Sequence, residues 1–335
     1  MPKTEKLVVL GNPPYQSMDG GHGVSAKPIY NIFIETIIDS LDPQYFSFIV
    51  PSRWMMGGKG LDKFRTRMMS DRHIKVIVDD MSLYGVFSSV DIAGGVNYFL
   101  RDKRYEGMCK FNFVDRYLDE YDIIIRENEN RDILERVRKI TEKNIGAIAS
   151  PRKPYCLEGN AIGAIASPSK PYGLRPNTPI TDEGTPCWFK QSIGKKFVDP
   201  ATVKDPRNDI NKWKVLAPRA PIAGQTDFTK PIGFFTNNNI VIAEPGEICT
   251  ETYIVVNSFS SKEEATNFVS YMRTKFFRFM LRMRVTSQNI ARDCYSWVPD
   301  VGPYHLPLTD EKLYKMFNIT RQQQDYIDSK IKELK

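Results

Sequence analysis

The stretch that decides the fold is Leu7-Val8-Val9-Leu10-Gly11-Asn12-Pro13-Pro14-Tyr15. Its four apolar residues, two of them β-branched, predict a buried parallel strand. The strand has to end at the two prolines, because each proline fixes φ and removes a backbone donor. A stiff turn at the carboxyl end of a strand is where open α/β sheets bind ligands. The sequence therefore predicts a binding turn directly after the first strand.

The polar groups of this turn suit an amine on a planar ring. The side-chain oxygen of Asn12 and the carbonyl of Pro13 can each accept a hydrogen bond from an exocyclic amine. Tyr15 can stack on the ring that carries the amine. The alternative interpretation is a rigid turn without a ligand.

Asn12-Pro13-Pro14-Tyr15 after an apolar strand resembles the catalytic motif of S-adenosylmethionine-dependent amino-methyltransferases. The N6-adenine-specific DNA methyltransferases of type II restriction–modification systems fit best. In that family the motif holds the amino group of an adenine that is flipped out of the duplex. The resemblance implies S-adenosylmethionine as methyl donor and these four residues as the catalytic residues, with Tyr15 stacking on the base. Protein-glutamine and ribosomal-RNA guanine methyltransferases carry the same four residues, so the motif alone leaves the substrate open.

The following segments alternate between strand and helix patterns, as in the second half of a doubly wound sheet. The patterns predict a helix over 30–41, a strand over 45–50, a helix over 57–69, and strands over 73–78 and 90–100. Gly94 and Gly95 indicate a bulge or a close backbone approach in the last strand.

The resemblance runs from Leu7 to Asp115 and extends to an aromatic residue. Residues 86–87 and 90–100 resemble a closing hairpin, which in the family carries an aromatic that packs on the flipped base. Phe99 matches that aromatic, and Tyr98 points to the opposite face of the strand. A core phenylalanine is the alternative for Phe99.

The cofactor half of the family's sheet has no recognisable match in the sequence. That half carries a glycine-rich turn for the methionine moiety and an acidic residue for the ribose. Only six residues precede Leu7, and no glycine fingerprint follows a suitable strand later. We expect either a second polypeptide that carries the glycine-rich cofactor-binding half, or a longer parent enzyme; a degenerate remnant is the third alternative.

A charged helix is predicted over 121–143, and an internal repeat follows it. Gly146-Ala-Ile-Ala-Ser-Pro-Arg-Lys-Pro-Tyr155 recurs 17 residues later as Gly163-Ala-Ile-Ala-Ser-Pro-Ser-Lys-Pro-Tyr172. Two copies are too few for a solenoid, so a local duplication within a loop is expected. Lys153 and Lys170 could contact a DNA backbone, but the favoured interpretation is a solvated proline-rich linker.

The C-terminal part combines short strands with a long, basic helix. Strands are predicted over 213–216, 232–235, 240–243 and 253–256. A capping box at Ser260 and Ser261 with Glu263 and Glu264 predicts the start of one helix that continues to Arg284. The candidate DNA-binding side chains lie at its end and just beyond: Lys275, Arg278, Arg282, Arg284, Gln288 and Asn289. Cations there suit the helix dipole or, alternatively, DNA phosphates, with the amides reading base edges.

The composition limits the class of protein to which the chain can belong. The chain has 335 residues, 41% hydrophobic and 26% charged, which is typical of a globular protein. Five scattered cysteines predict reduced thiols in a cytoplasm and no zinc site. No apolar run is long enough for a bilayer. A net charge of +7 permits nucleic-acid binding.

Together these patterns predict an α/β fold. Residues 1–120 would form the C-terminal half of a Rossmann-like methyltransferase sheet, 121–185 a connecting helix and linker, and 186–335 an α+β target-recognition domain. The predicted function is methylation of N6 of adenine in double-stranded DNA. The alternatives are a non-catalytic DNA-binding or specificity subunit, an inactive fragment, and a protein-glutamine or rRNA methyltransferase.

Overall fold

A computed structural model describes residues 6–17, 27–58, 60–80, 94–144, 161–222, 225, 230–235, 239–285 and 288–334. The chain forms two compact units, Met1–Asn128 and Glu129–Lys335, which we call unit 1 and unit 2. Each unit has a hydrophobic core of its own. Across the described ranges, none of the helices has the length and apolar character needed to cross a membrane.

Unit 1 consists of one β-sheet and the helices that connect its strands. Its helices are α1 (Tyr30–Thr36), which continues as a π-helical turn over Ile37–Leu41, and α2 (Asp62–Ser70). Its strands are β1 (Val8–Gly11), β2 (Tyr45–Pro51), β3 (Ile74–Asp80), β4 (Val96–Asp102), β5 (Cys109–Phe111) and β6 (Val114–Arg116). The strand and helix types predicted over 7–78 are confirmed, but the predicted burial of the first strand is wrong, because β1 lies at the sheet edge and is largely exposed.

The six strands form one mixed sheet in the order β1-β2-β4-β3-β5-β6. β1 and β2 are parallel, and β4 runs antiparallel to both β2 and β3. β1 is the outermost strand of the sheet. Because β1 and β2 are parallel, their carboxyl ends lie at the same end of the sheet. The residues predicted to bind a ligand therefore leave the sheet where parallel α/β layers place their ligands.

The core of unit 1 covers one face of the sheet. Phe46 of β2 and Phe99 of β4 meet edge to face, with ring centroids 5.2 Å apart. Trp54 and Phe64, from the segments after β2, complete the aromatic cluster at 5.8 Å. On β4 the alternation of a strand turns Tyr98 outward while Phe99 points inward.

The glycine pair before β4 forms a turn and not a bulge. Gly94 and Gly95 have φ values of +93° and +75°, in the region that side chains disfavour. β4 begins only at Val96, and residues 81–93 of the predicted strand and hairpin lie outside the described residues.

Unit 2 is an α+β region. Its helices are α3 (Asn128–Asn144), α4 (Ile162–Ile165), α5 (Lys262–Arg273), α6 (Lys275–Arg282), α7 (Asp310–Met316) and α8 (Arg321–Lys330). Its strands are β7 (Thr185–Trp188), β8 (Lys195–Val198), β9 (Trp213–Pro218), β10 (Val241–Ala243), β11 (Ile248–Cys249) and β12 (Tyr253–Phe259). They form two three-stranded sheets, β10-β9-β12 and β11-β7-β8. The strand predicted over 232–235 is wrong, because only an isolated bridge at Ile232 forms there.

The single long helix predicted after Ser261 is wrong, because it breaks at Thr274. Ser261 caps the start of α5 as predicted. Thr274 then has an extended backbone, and its hydroxyl accepts a hydrogen bond from the Phe277 amide at 3.1 Å. The Asp310 carboxylate accepts from the amides of Lys275 and Phe276 at 3.0 and 2.8 Å. A distant carboxylate therefore stabilises a second helix start that the periodicity of the sequence did not indicate.

The second copy of the repeat is packed into unit 2 and is not a solvated linker. Ser167 is buried, and its hydroxyl accepts from the Val255 amide at 3.0 Å. The buried Tyr172 hydroxyl donates to the Asp209 carboxylate at 2.6 Å. The first copy, Gly146–Tyr155, lies outside the described residues.

Candidate active site

The predicted binding turn starts where β1 passes close to a ring of β2. Gly11, the last residue of β1, pairs with Phe48. A Cβ atom at Gly11 would lie 3.0 Å from Cε1 of the Phe48 ring, so any other residue would have to displace that ring. Glycine here lets the strand carry Asn12 to the edge of the sheet without a side-chain clash.

The four predicted catalytic residues line one depression. Asn12, Pro13, Pro14 and Tyr15, together with Gln16, line an open depression with a volume of about 410 Å³. Pro13 is buried, Asn12 and Pro14 are exposed, and Tyr15 is half-buried. Small-molecule sites occupy roughly 300–1,000 Å³. The depression is therefore of a size that accepts a base-sized ligand, with the Asn12 side chain accessible to it.

The far end of the turn is fixed by the chain that leads into α1. The amide of Ile29 donates to the carbonyl of Tyr15 at 3.2 Å, and the amide of Ser17 donates to the carbonyl of Lys27 at 3.0 Å. With β1 holding one end and these bonds the other, the positions of Asn12 and Tyr15 are set by the backbone. Such preorganisation is what positioning catalysis requires.

The Tyr15 hydroxyl has unused hydrogen-bonding capacity. Burial raises the pKa of this hydroxyl above its usual value, and the nearby Asn12 side chain lowers the pKa in part. The group is thus a neutral donor near pH 7. Among the described residues it forms no hydrogen bond of normal geometry. The hydroxyl oxygen is itself buried and lies beside the Asn12 side chain.

Phe99, the predicted stacking partner of Tyr15, is a core residue in this structure. Its side chain is 0% exposed and contacts the ring of Phe46. The exposed aromatic of the same strand is Tyr98, on the opposite face of the sheet. Phe99 would have to leave the core to stack on a ligand. The structure therefore favours the alternative in which Phe99 is a core residue over its predicted role in base stacking.

Two of the predicted DNA-binding cations are already engaged within unit 2. Lys275 forms ion pairs through Nζ with Asp328, at 3.0 Å, and with Glu333. Arg278 is 2% exposed, and its guanidinium donates to the carbonyls of Thr274 at 3.2 Å and Lys332 at 2.7 Å. Burial lowers the pKa of Arg278. In this arrangement Arg278 has no surface to offer to a phosphate, which corrects its assignment as a DNA contact.

The remaining predicted DNA-binding residues lie at and beyond the end of α6. Arg282, Arg284 and Gln288 are half-buried, and Asn289 is exposed. The Arg284 guanidinium lies 4.7 Å from the centroid of the Trp297 ring, a cation–π contact. The structure does not bring the six predicted residues onto one exposed surface.

A buried polar network at the carboxyl edge of the unit 1 sheet was missed by the sequence analysis. The Ser52 hydroxyl donates to the Asp79 carboxylate at 2.5 Å, and the Asn97 amide donates to the Ser52 hydroxyl at 3.2 Å. Arg126 donates twice to Asp79, at 2.6 and 2.8 Å. The signal was present in Asn97, a polar residue inside an apolar strand pattern. The network joins the ends of β2, β3 and β4 beside the strand that carries the turn.

Residues 7–87 match the model of the Eco57I restriction-modification methylase family. This segment contains β1, the Asn12–Tyr15 turn, β2 and β3. The resemblance that the turn and its flanking strands indicated is therefore confirmed for this part of the chain, which is similar to adenine-specific restriction–modification methyltransferases.

A curated relative is the "Uncharacterized adenine-specific methylase" of Mycoplasma pneumoniae (strain ATCC 29342 / M129 / Subtype 1), which is 32% identical over 108 residues. The alignment covers 31% of this chain and 25% of the relative, so the chain spans about a quarter of the length of that protein. The crystal structure of the type IIG restriction endonuclease BpuSI aligns over 86% of this chain and 47% of that chain, with 11% identity and a TM-score of 0.29. A superposition at this TM-score supports no argument about fold or function.

Proposed function

We propose that the chain is the catalytic-turn part of an N6-adenine DNA methyltransferase of a restriction–modification system. The observation that carries the proposal is the depression lined by Asn12–Gln16, in which the accessible side chain of Asn12 stands on a fixed backbone. The match of residues 7–87 to a methylase family and the adenine-specific relative support the same chemistry. Unit 1 would then be the C-terminal half of a Rossmann-like methyltransferase sheet.

The chain's own residues would hold and orient the amine. The side-chain oxygen of Asn12 and the carbonyl of Pro13 would accept hydrogen bonds from the two N–H groups of the amine. These hydrogen bonds would draw the nitrogen lone pair out of conjugation with the ring. Tyr15 would stack on the flipped adenine and limit its rotation. S-adenosylmethionine would supply an electrophilic methyl group to that lone pair. Among the described residues we assign no cradle to this cofactor.

We propose that a glycine-rich cofactor-binding half, on a second polypeptide or in a longer parent chain, adds to the sheet beside β1. β1 has the composition of a central strand, yet it lies at the sheet edge and Leu10 is 72% exposed. Val8 is exposed on the same strand, as are Ile32 and Phe33 of α1. Buried parallel strands carry apolar residues on both faces, so this pattern favours a neighbour on the open side of β1.

Double-stranded DNA is the proposed substrate. The region over 186–335 is the proposed target-recognition domain, and the cytoplasm is the proposed compartment.

The second candidate function is a non-catalytic DNA-binding subunit of such a system. The exposed edge of β1 favours it, because a sheet without its cofactor half would serve as a docking platform. The accessible amide of Asn12 favours the catalytic alternative.

The test is calorimetric titration of the purified chain with S-adenosylmethionine, in the presence and absence of duplex DNA. Methyl transfer is then measured as N6-methyladenine by mass spectrometry. DNA binding with little cofactor binding is expected for the chain alone, and methylation once the cofactor half is supplied. Methyl transfer to a protein glutamine or to RNA, with none to DNA, would contradict the proposal.

A further inference from the structure

The turn that joins β7 to β8 has a fixed backbone. The Phe189 amide donates to the Gly194 carbonyl at 3.0 Å. The amides of Ile193 and Gly194 donate to the Lys190 carbonyl at 2.8 and 3.1 Å. Gly194 has a φ of +76°, which lets the chain reverse here without strain. These three hydrogen bonds all join residues within 189–194, so they fix the backbone of the turn.

Apolar anchors leave the polar residues of this turn on the surface. Phe189 is buried, and Ile193 packs against the core of unit 2. Between these two anchors, Lys190, Gln191 and Ser192 are exposed. Since the anchors fix the backbone on both sides, the three polar side chains project from a preorganised frame.

The hairpin carries uncompensated positive charge. Residues 189–198 contain Lys190, Lys195 and Lys196 and no acidic residue. Lys195 pairs through Nζ with Glu247 Oε1 at 2.6 Å, and this contact raises the pKa of Lys195. Lys190 and Lys196 are exposed and, as far as the described residues show, have no acidic partner. Two of the three cations are therefore available to an anionic partner.

One face of the hairpin carries an exposed aromatic residue beside Lys195, while Lys196 lies on the opposite face of β8, across from Cys187. Phe197 on β8 is 41% exposed and lies opposite Pro186 of β7. Trp188 lies on the same side as Phe197, but it is half-buried against the core of unit 2, and its Nε1 donates to Glu247 at 2.8 Å. β8 is at the edge of its three-stranded sheet, and the turn, Lys196 and Phe197 are exposed.

We propose that the β7–β8 hairpin enters a groove of duplex DNA. Lys190 and Lys196 contact phosphates, and Gln191 and Ser192 face the base edges. Phosphate contacts supply most of the affinity of such interfaces. The major groove admits a two-stranded β-ribbon, and glutamine and serine carry donors and acceptors that match base edges. The inference rests on the proposed DNA substrate and names the element that recognises it.

The hairpin is preferred to the basic end of α6 because its cations are available. Lys275 is held by two carboxylates, and Arg278 is bonded to carbonyls inside unit 2. A charge that is already neutralised or buried contributes little to phosphate binding. Lys190 and Lys196 carry neither restriction.

The test is a fluorescence anisotropy titration of the full chain with labelled duplex DNA between 50 and 200 mM salt, roughly the range over which counterion release is measurable. The double variant Lys190→Ala/Lys196→Ala should bind roughly tenfold more weakly for each lysine removed. The slope of log K against log salt should become shallower by about one for each lysine. The matched double variant with arginine at both positions should bind like the wild type.

The control is Lys315→Ala, which removes an exposed cation from helix α7 of the same unit. Its affinity should stay within about twofold of the wild type. Equal binding by the wild type and the double alanine variant would overturn the hairpin assignment while leaving DNA binding intact. An equal loss in Lys315→Ala would overturn it as well, because affinity would then follow net charge alone. Absence of DNA binding by the wild type would overturn both this inference and the proposed substrate.

Discussion

The turn after β1 and the turn between β7 and β8 present polar groups by different means. The first is stiffened by two prolines and presents uncharged acceptors at a sheet edge. The second is closed by its own backbone hydrogen bonds and presents Lys190, with Lys196 exposed on the following strand. Neutral acceptors suit the orientation of an amine, whereas lysines suit attraction to phosphates. With the roles proposed above, variants in the first turn should change the rate of methyl transfer, and variants in the second should change the affinity for DNA.

The largest expected effect is at Asn12, the residue proposed to accept an amine hydrogen. Asn12→Ala should lower the rate of methyl transfer by about 10²–10³-fold, comparable to removing one preorganised hydrogen-bonding group from an active site. DNA affinity should be unchanged, since the proposed hairpin contacts are intact. The rate is measured as N6-methyladenine formed in the assembly that includes the cofactor half. Asn177→Ala, an exposed asparagine of unit 2, is the matched control, and retained transfer in Asn12→Ala would remove this residue from the mechanism.

The next effect concerns the buried polar network that joins the ends of β2, β3 and β4. Asp79→Asn leaves the Arg126 guanidinium without its buried counter-charge, so the free energy of unfolding should fall by about 3 kcal/mol. Urea denaturation followed by circular dichroism measures it. Asp115→Asn, at an exposed position of β6, should change stability by less than about 0.5 kcal/mol. Similar small changes in both variants would show that the network does not stabilise unit 1.

The smallest effect is expected at Tyr15 and separates its ring from its hydroxyl. Loss of base stacking costs about 1–3 kcal/mol, so Tyr15→Ala should lower kcat/KM by roughly tenfold or more. Tyr15→Phe keeps the ring and should remain within about threefold, since only a partnerless hydroxyl is lost. Steady-state kinetics on duplex DNA measures both variants. Equal losses would assign the role to the hydroxyl and would contradict stacking.

The elements set by local patterns were predictable from the sequence. β1 and its turn follow from four apolar residues before two prolines, and the matching depression contains all four predicted residues. The cap at Ser261 was likewise a local signal. In these cases the deciding interactions lie within a few residues of one another.

The features that depend on distant partners were not predictable. Thr274 ends a helix because Asp310 accepts from the next helical amides. Tyr172 belongs to the core because Asp209 accepts its hydroxyl hydrogen. Arg278 is buried because the carbonyl of Lys332 accepts from it. Charge density along α6 suggested a nucleic-acid surface, but tertiary contacts decide which cations remain exposed.

The exposed edge of β1 also has a consequence for how the chain is produced. An apolar edge strand with unpaired backbone groups is a template for aggregation. If the proposed cofactor half covers β1, surplus copies of this chain would be the insoluble ones. The cell would then have to produce the two parts in equal amounts. The solubility of this chain would show whether it has bound the cofactor half.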